Sequence, residues 1–168
     1  MKPKLAVIDY GMGNLRSVSK AFEVCGADVN LVTSPEEIKD AAGLVLPGVG
    51  ALGDCIAGLR ACNLVDTVKG WIAEDRPFFG VCLGFQALYD FSEEGSVEGL
   101  GVFTGQVKRF QLPVEYKVPH MGWNTVSFKD THDPLVAGIK SEEDQFYFVH
   151  SYFVSPEEPG SAFFQTEY

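Results

Sequence analysis

The chain has 168 residues, 46% of them hydrophobic and 21% charged, which suits one globular domain with a sizeable core. Its formal net charge of −10 lacks the basic footprint of a nucleic-acid binder and would be repelled by an anionic membrane, so neither is expected as a partner. The N-terminal run reaches Asp9 before a signal-peptide core can develop, and no stretch approaches the roughly 18 apolar residues of a membrane span; a soluble, cytoplasmic protein is expected.

In chain order, Leu5–Asp9 is a short apolar run that predicts a first strand. Asn14–Cys25 has a helical pattern, closed by Gly26 where a C′ glycine belongs. Asp28–Val32 predicts a second strand. Ser34-Pro35-Glu36-Glu37 supplies an N-cap serine, a first-turn proline and early acids, and opens a short helix. A third strand runs through the buried stretch Gly43–Leu46 and ends at Pro47. Residues 52–60 and 64–74 read as helices, Pro77–Val81 as strand four, and Leu83–Asp90 as the helix after it. This alternation predicts an α/β fold with a parallel sheet covered on both faces. Beyond residue 100 the texture changes to strand-like pieces, Gly101–Phe110, Thr125–Phe128, Phe146–Val154 and Ala162–Tyr168, which predict an added antiparallel or mixed region.

Of four cysteines, Cys25, Cys55, Cys62 and Cys82, none forms a C-x-x-C pair, and a chain this large needs no disulfide scaffold. Cys82 stands apart. It sits in the G-x-C-x-G frame Gly80-Val81-Cys82-Leu83-Gly84 directly after an apolar run, the form of a nucleophile elbow in which a strand turns sharply into a helix. At a helix N-terminus the aligned peptide dipoles favour a thiolate, so a lowered thiol pKa is expected.

Two glycine loops accompany the elbow. Tyr10-Gly11-Met12-Gly13-Asn14 superficially resembles a dinucleotide fingerprint, but Arg16 occupies the place of the third glycine and no acidic residue ends strand two. Pro47-Gly48-Val49-Gly50 leaves strand three at the carboxyl edge, where ligand sites of α/β sheets gather. Its amides could stabilise the oxyanion formed when Cys82 attacks a carbonyl, with Leu83 supplying a further N–H; a tight turn built of glycine for steric reasons alone is the other reading.

Together these segments resemble the class I glutamine amidotransferase family. The resemblance rests on Asp9–Ser17, Leu46–Gly50 and Gly80–Gln86. Val118-Pro119-His120-Met121-Gly122-Trp123-Asn124 and Phe148-Val149-His150-Ser151-Tyr152 are similar to its histidine-pathway branch, the glutaminase subunits of imidazole glycerol phosphate synthases. It spans residues 1–168 as a single domain and implies a flavodoxin-like three-layer fold. It further implies that Cys82 attacks the side-chain amide of glutamine, and that Val49, Gly50 and Leu83 hold the oxyanion. Gly48, Gln86, Ser151 and Tyr152 then lie at the amino-acid end of the substrate. Ammonia would pass to a cyclase subunit shaped as a (β/α)₈ barrel, met by Asn14, His120, Met121 and Trp123. No cofactor or metal is implied.

The family completes its nucleophile with a His-x-Glu pair, and none of His120, His132 and His150 has a glutamate two residues on. The expectation from this is an incomplete polypeptide, lacking the family's final strand, His-x-Glu turn and helix. His150 lies in a strand pattern that suits packing, His120 suits an interface or loop, and His132 a solvent-exposed turn. Two other readings stand beside the glutaminase: a catalytically silent partner-binding module, and another cysteine hydrolase of the same fold.

Overall fold

The structure, a computed structural model, describes residues 1–128, 130, 132–158 and 160–168. Its first half comprises β1 (Lys4–Ile8), α1 (Leu15–Val24), β2 (Asp28–Val32), a 3₁₀ turn (Pro35–Ile38) and β3 (Gly43–Gly48). These are followed by α2 (Leu52–Ala61), α3 (Val65–Ala73), β4 (Phe78–Cys82) and the single turn α4 (Leu83–Gln86). The strands form a parallel sheet in the order β2-β1-β3-β4, as the alternation predicts. Asn14 caps α1 by accepting the Ser17 N–H at 3.3 Å, and Gly26 ends it at φ 95°.

One face of the sheet is closed. Ala6, Ile8, Leu44 and Leu46 point from the strands into a core completed by Leu52, Ile56 and Leu59 of α2 and by Val68 and Trp71 of α3. Each such aliphatic side chain removed from water is worth about 1.5–3 kcal/mol, so this face anchors the carboxyl edge where the site forms. The opposite face departs from expectation. Among the described residues only α1 covers it, through contacts such as Phe22 edge-on to Phe79, leaving Phe79 57% and Leu31 51% exposed.

The second half adds β5 (Tyr89–Ser92), β6 (Val97–Glu98), β7 (Phe103–Arg109), β8 (His120–Thr125), β9 (Gln145–His150) and β10 (Tyr152–Pro156). A mixed sheet runs β10-β7-β5-β6, and β8 pairs with β9 as a separate antiparallel ribbon. Four segments differ from the sequence reading. The helix expected over Leu83–Asp90 stops at Gln86, because Leu88, Tyr89 and Asp90 give their carbonyls to residues 99–103 instead of to a following turn. Gly99 permits this approach; a Cβ there would overlap the Tyr89 carbonyl oxygen. The run Phe146–Val154 breaks at Ser151, sending β9 to the ribbon and β10 to the mixed sheet. The piece expected over Thr125–Phe128 begins five residues early, at His120, and ends at Thr125, and Ala162–Tyr168 contributes only a bridge between Gln165 and Ser127. No helix among the described residues is long and apolar enough to cross a membrane.

Candidate active site

Cys82 closes β4 with φ 54° and ψ −111°, a conformation that a non-glycine residue adopts at a cost of about 1–3 kcal/mol unless its surroundings enforce it. Three glycines provide the enforcement. A Cβ on Gly84 would overlap the Leu46 carbonyl oxygen, one on Gly80 would lie 2.8 Å from the Gly84 carbonyl oxygen and the Phe85 nitrogen, and one on Gly48 would lie 2.5 Å from the Gly84 nitrogen. The turn α4 therefore rests backbone-on-backbone against β3 and β4. The G-x-C-x-G frame is the sequence trace of that packing.

Register then assembles the rest. Gly48 pairs with Cys82 across the β3–β4 ladder, which puts the Pro47–Gly50 loop beside the thiol at the carboxyl edge. Val49 is exposed there, and Gly50 sits at φ 88° with the Met12 methyl packed where a Cβ would project. Gly48, Val49, Gly50, Cys82 and Leu83 are thus brought together. An open cleft of about 850 Å³ lies over Cys82, bordered by Phe85, Gln86, Tyr152 and residues of β9. The Gln86 amide donates to the Tyr152 carbonyl at 3.1 Å and ties the elbow to the start of β10. Ser151, next in chain, is half-buried and accepts the Phe110 N–H through its carbonyl at 3.1 Å.

The thiol does not follow the expected direction. Cys82 reaches solvent, yet protein packed around its base pushes its pKa above the ordinary value; the Leu83 N–H pulls it down, and the Glu94 carboxylate raises it further. A one-turn helix offers little dipole to oppose that desolvation. Glu94 is a residue that sequence reasoning missed. Its carboxylate accepts the Leu52 N–H at 3.2 Å, capping α2, whose own N-cap residue Ala51 has no side-chain acceptor. Only the fold brings that charge toward Cys82, forty-two residues from the helix it caps and twelve from the thiol it perturbs.

The residues expected at a partner surface divide. Met121 and Trp123 are 62% and 67% exposed and pair with Val149 and Tyr147 on one apolar face of the ribbon, the Trp123 and Tyr147 rings meeting edge-on at 5.6 Å. Tyr147 and Val149 were not singled out by the sequence. Asn14 is exposed, with its side chain engaged in capping α1. His120 corrects the expectation: alternation along β8 turns it to the opposite face, where it is 3% exposed and stacked between Phe148 and Tyr168. Among the described residues no group of three His, Cys, Asp or Glu side chains is placed to hold a metal ion.

A parallel α/β sheet carrying a cysteine at positive φ where a strand turns into a helix, with a glycine loop paired beside it, defines an α/β protein with a cysteine elbow. Residues 6–167 match the family model for glutamine amidotransferase class-I. The chain is 49% identical over 156 residues to imidazole glycerol phosphate synthase subunit HisH of Rhodopirellula baltica, covering 92% of this chain and 75% of that one. It is 48% identical over 157 residues to the subunit of the same name from Thermosynechococcus vestitus, covering 94% and 75%. Among solved structures, its fold is similar to a glutamine amidotransferase crystal structure (TM-score 0.72, 17% identity, 95% of this chain and 79% of that one). It is similarly close to PurLQS from Thermotoga maritima (TM-score 0.71, 17% identity, 99% and 75%). The chain belongs to the class I glutamine amidotransferase family.

Proposed function

We propose that this chain is the glutamine-hydrolysing subunit of an imidazole glycerol phosphate synthase, acting in histidine biosynthesis as one family domain over residues 1–168. The observation that carries the site is the pairing of Gly48 with Cys82, which sets an amide-bearing loop beside a strained nucleophile. In this reading the Cys82 thiolate attacks the side-chain amide carbon of glutamine. The negative charge moves onto the carbonyl oxygen, and the N–H groups of Val49, Gly50 and Leu83 donate to that oxyanion, each such donor being worth about 10²–10³ in rate. The amide nitrogen takes a proton from water as the C–N bond breaks and leaves as ammonia, giving a γ-glutamyl thioester that a second water cleaves to glutamate, restoring the thiol.

Gly48, Gln86, Ser151 and Tyr152 border the amino-acid end of glutamine in this arrangement. The partner is a cyclase subunit of (β/α)₈ form, joined as a heterodimer in the cytoplasm. Met121 and Trp123, extended by Tyr147 and Val149, present the aromatic, apolar face that suits such a contact, with Asn14 at the same subunit's carboxyl edge. The lyase step belongs to the partner.

A glutamine-shaped chloroketone tests the nucleophile without needing turnover, because displacement of chloride requires only a thiolate and a substrate-shaped cleft. Peptide mapping by mass spectrometry at pH 8.5 is expected to find one adduct, on Cys82, suppressed by excess glutamine. Equal labelling of the exposed Cys25, or labelling of Cys82 that glutamine does not slow, would overturn the assignment.

A further inference from the structure

The mechanism above leaves His120 and His150 unused, and they lie within a cluster of aromatic rings in the molecule's second half. They face one another in the β8–β9 ladder with ring centroids 5.4 Å apart. From β9, Phe148 lies parallel to His120 at 5.1 Å, and from the C-terminal segment Tyr168 stacks on its other side at 3.8 Å. Phe110, at the end of β7, contacts His150 at 5.2 Å. The Nδ1 of His150 lies 2.9 Å from the Tyr152 carbonyl oxygen, so in the neutral ring Nδ1 carries the proton and Nε2 is a bare acceptor. That Nε2 and the Nδ1 of His120 are both buried without a hydrogen-bond partner.

We propose that the His120–His150 pair is an acid-sensitive latch: with neutral rings it holds the β8–β9 ribbon against β7 and β10, and protonation of His120 releases the ribbon. A proton on His120 puts a charge into a stack of three aromatic rings, beside a second histidine, with its buried Nδ1 lacking a hydrogen-bond partner. The other titratable and charged groups lining the same cavity, of about 530 Å³, are Lys108 and Arg109 of β7, Glu93 after β5, and Tyr168. Lys108 and Arg109 oppose a further positive charge, and the Glu93 carboxylate is held at 2.7 Å by the Arg109 backbone N–H. On its other side His150 borders the Cys82 cleft together with Tyr147, Tyr152 and Glu167.

The direction of the response follows from burial. Desolvation lowers the His120 pKa below its ordinary value and the neighbouring His150 lowers it further. An opened ribbon therefore binds the proton more readily than the closed one once the pH falls below about 6.5, the ordinary histidine value. The ribbon has its full stability above that pH and loses it below. Because β9 walls the Cys82 cleft and the ribbon carries the Trp123 face, opening disturbs both together. The latch rests on the ribbon geometry alone; its consequence for glutamine hydrolysis rests on the function proposed above.

Amide hydrogen exchange followed by NMR on the full chain tests the latch without an activity readout. Protection factors of Met121–Thr125 and Phe146–His150, corrected for intrinsic exchange, are expected to be constant above pH 7. From pH 6.5 to 5 they should fall by up to about tenfold per pH unit, the slope of one proton, while β1 amides stay unchanged. His120→Phe keeps an aromatic ring in the stack and should abolish the fall; His132→Gln, at an exposed turn, should retain it. If His120→Phe fails to fold, the His120 ring proton shifts of the unmodified chain decide the matter, because they must move with the same midpoint as the loss of protection. Flat protection from pH 7 to 5, a fall that survives in His120→Phe, or a ring titration uncoupled from the ribbon amides would each overturn the latch.

Discussion

Substituting alanine at Gly84 adds one methyl group at the tightest point of the elbow, and the outcome can be worked from the packing. The new Cβ would overlap the Leu46 carbonyl oxygen, a backbone atom of a central strand, so no side-chain rotation relieves it. The turn α4 must lift from β3 and draw the buried Leu83, Ala87 and Leu88 with it. Overpacking of this kind typically costs 1–3 kcal/mol, and a rigid backbone obstacle belongs at about 3 kcal/mol. Alanine returns about 1 kcal/mol of helix propensity, leaving a net loss of about 2 kcal/mol. For a chain of this size that corresponds to a Tm lower by about 4–8 °C in a calorimetric scan. Gly70→Ala in α3 is the control, because nothing lies within 4 Å of its Cβ position. It should raise Tm by about 2–4 °C from propensity alone. If Gly84→Ala matched or exceeded the wild-type Tm while Gly70→Ala behaved as expected, the backbone-on-backbone account of the elbow would be wrong.

Glu94→Gln removes the charge that raises the Cys82 pKa, so the pH profile of Cys82 alkylation by iodoacetamide, read by peptide mapping, should shift toward lower pH. At a fixed pH near 8 the variant should then label faster, and an unshifted profile would place the carboxylate's influence elsewhere. Trp123→Ala removes the largest exposed ring of the ribbon face and should weaken binding of a cyclase-type subunit at least tenfold by calorimetric titration, the behaviour of an interface hot spot. Unchanged affinity would move the partner surface off this face.

The parallel half of the fold was legible because its signals are local. Asn14 and Gly26 bound α1, the buried run from Gly43 marks β3, and Gly80, Cys82 and Gly84 announce the elbow within five residues. Runs of apolar residues bounded by caps and glycines need no distant partner to be read. The second half was less legible, because strands there are chosen by their neighbours. Tyr89 and Asp90 read as the end of a helix until β7 and the residues around Gly99 take their backbone groups, and Phe146–Val154 reads as one strand until two different sheets claim its ends.

By itself the sequence determined the elbow frame around Cys82, the glycine loop after strand three and the class of fold, since each depends on residues within one turn or one strand. Tertiary structure decided the rest. It set Gly48 in register with Cys82, carried the Glu94 charge to a thiol that burial pushes up, and turned His120 inward while leaving Trp123 outward. Those outcomes depend on register, desolvation and the side of a strand, and such quantities exist only once separate segments have packed together.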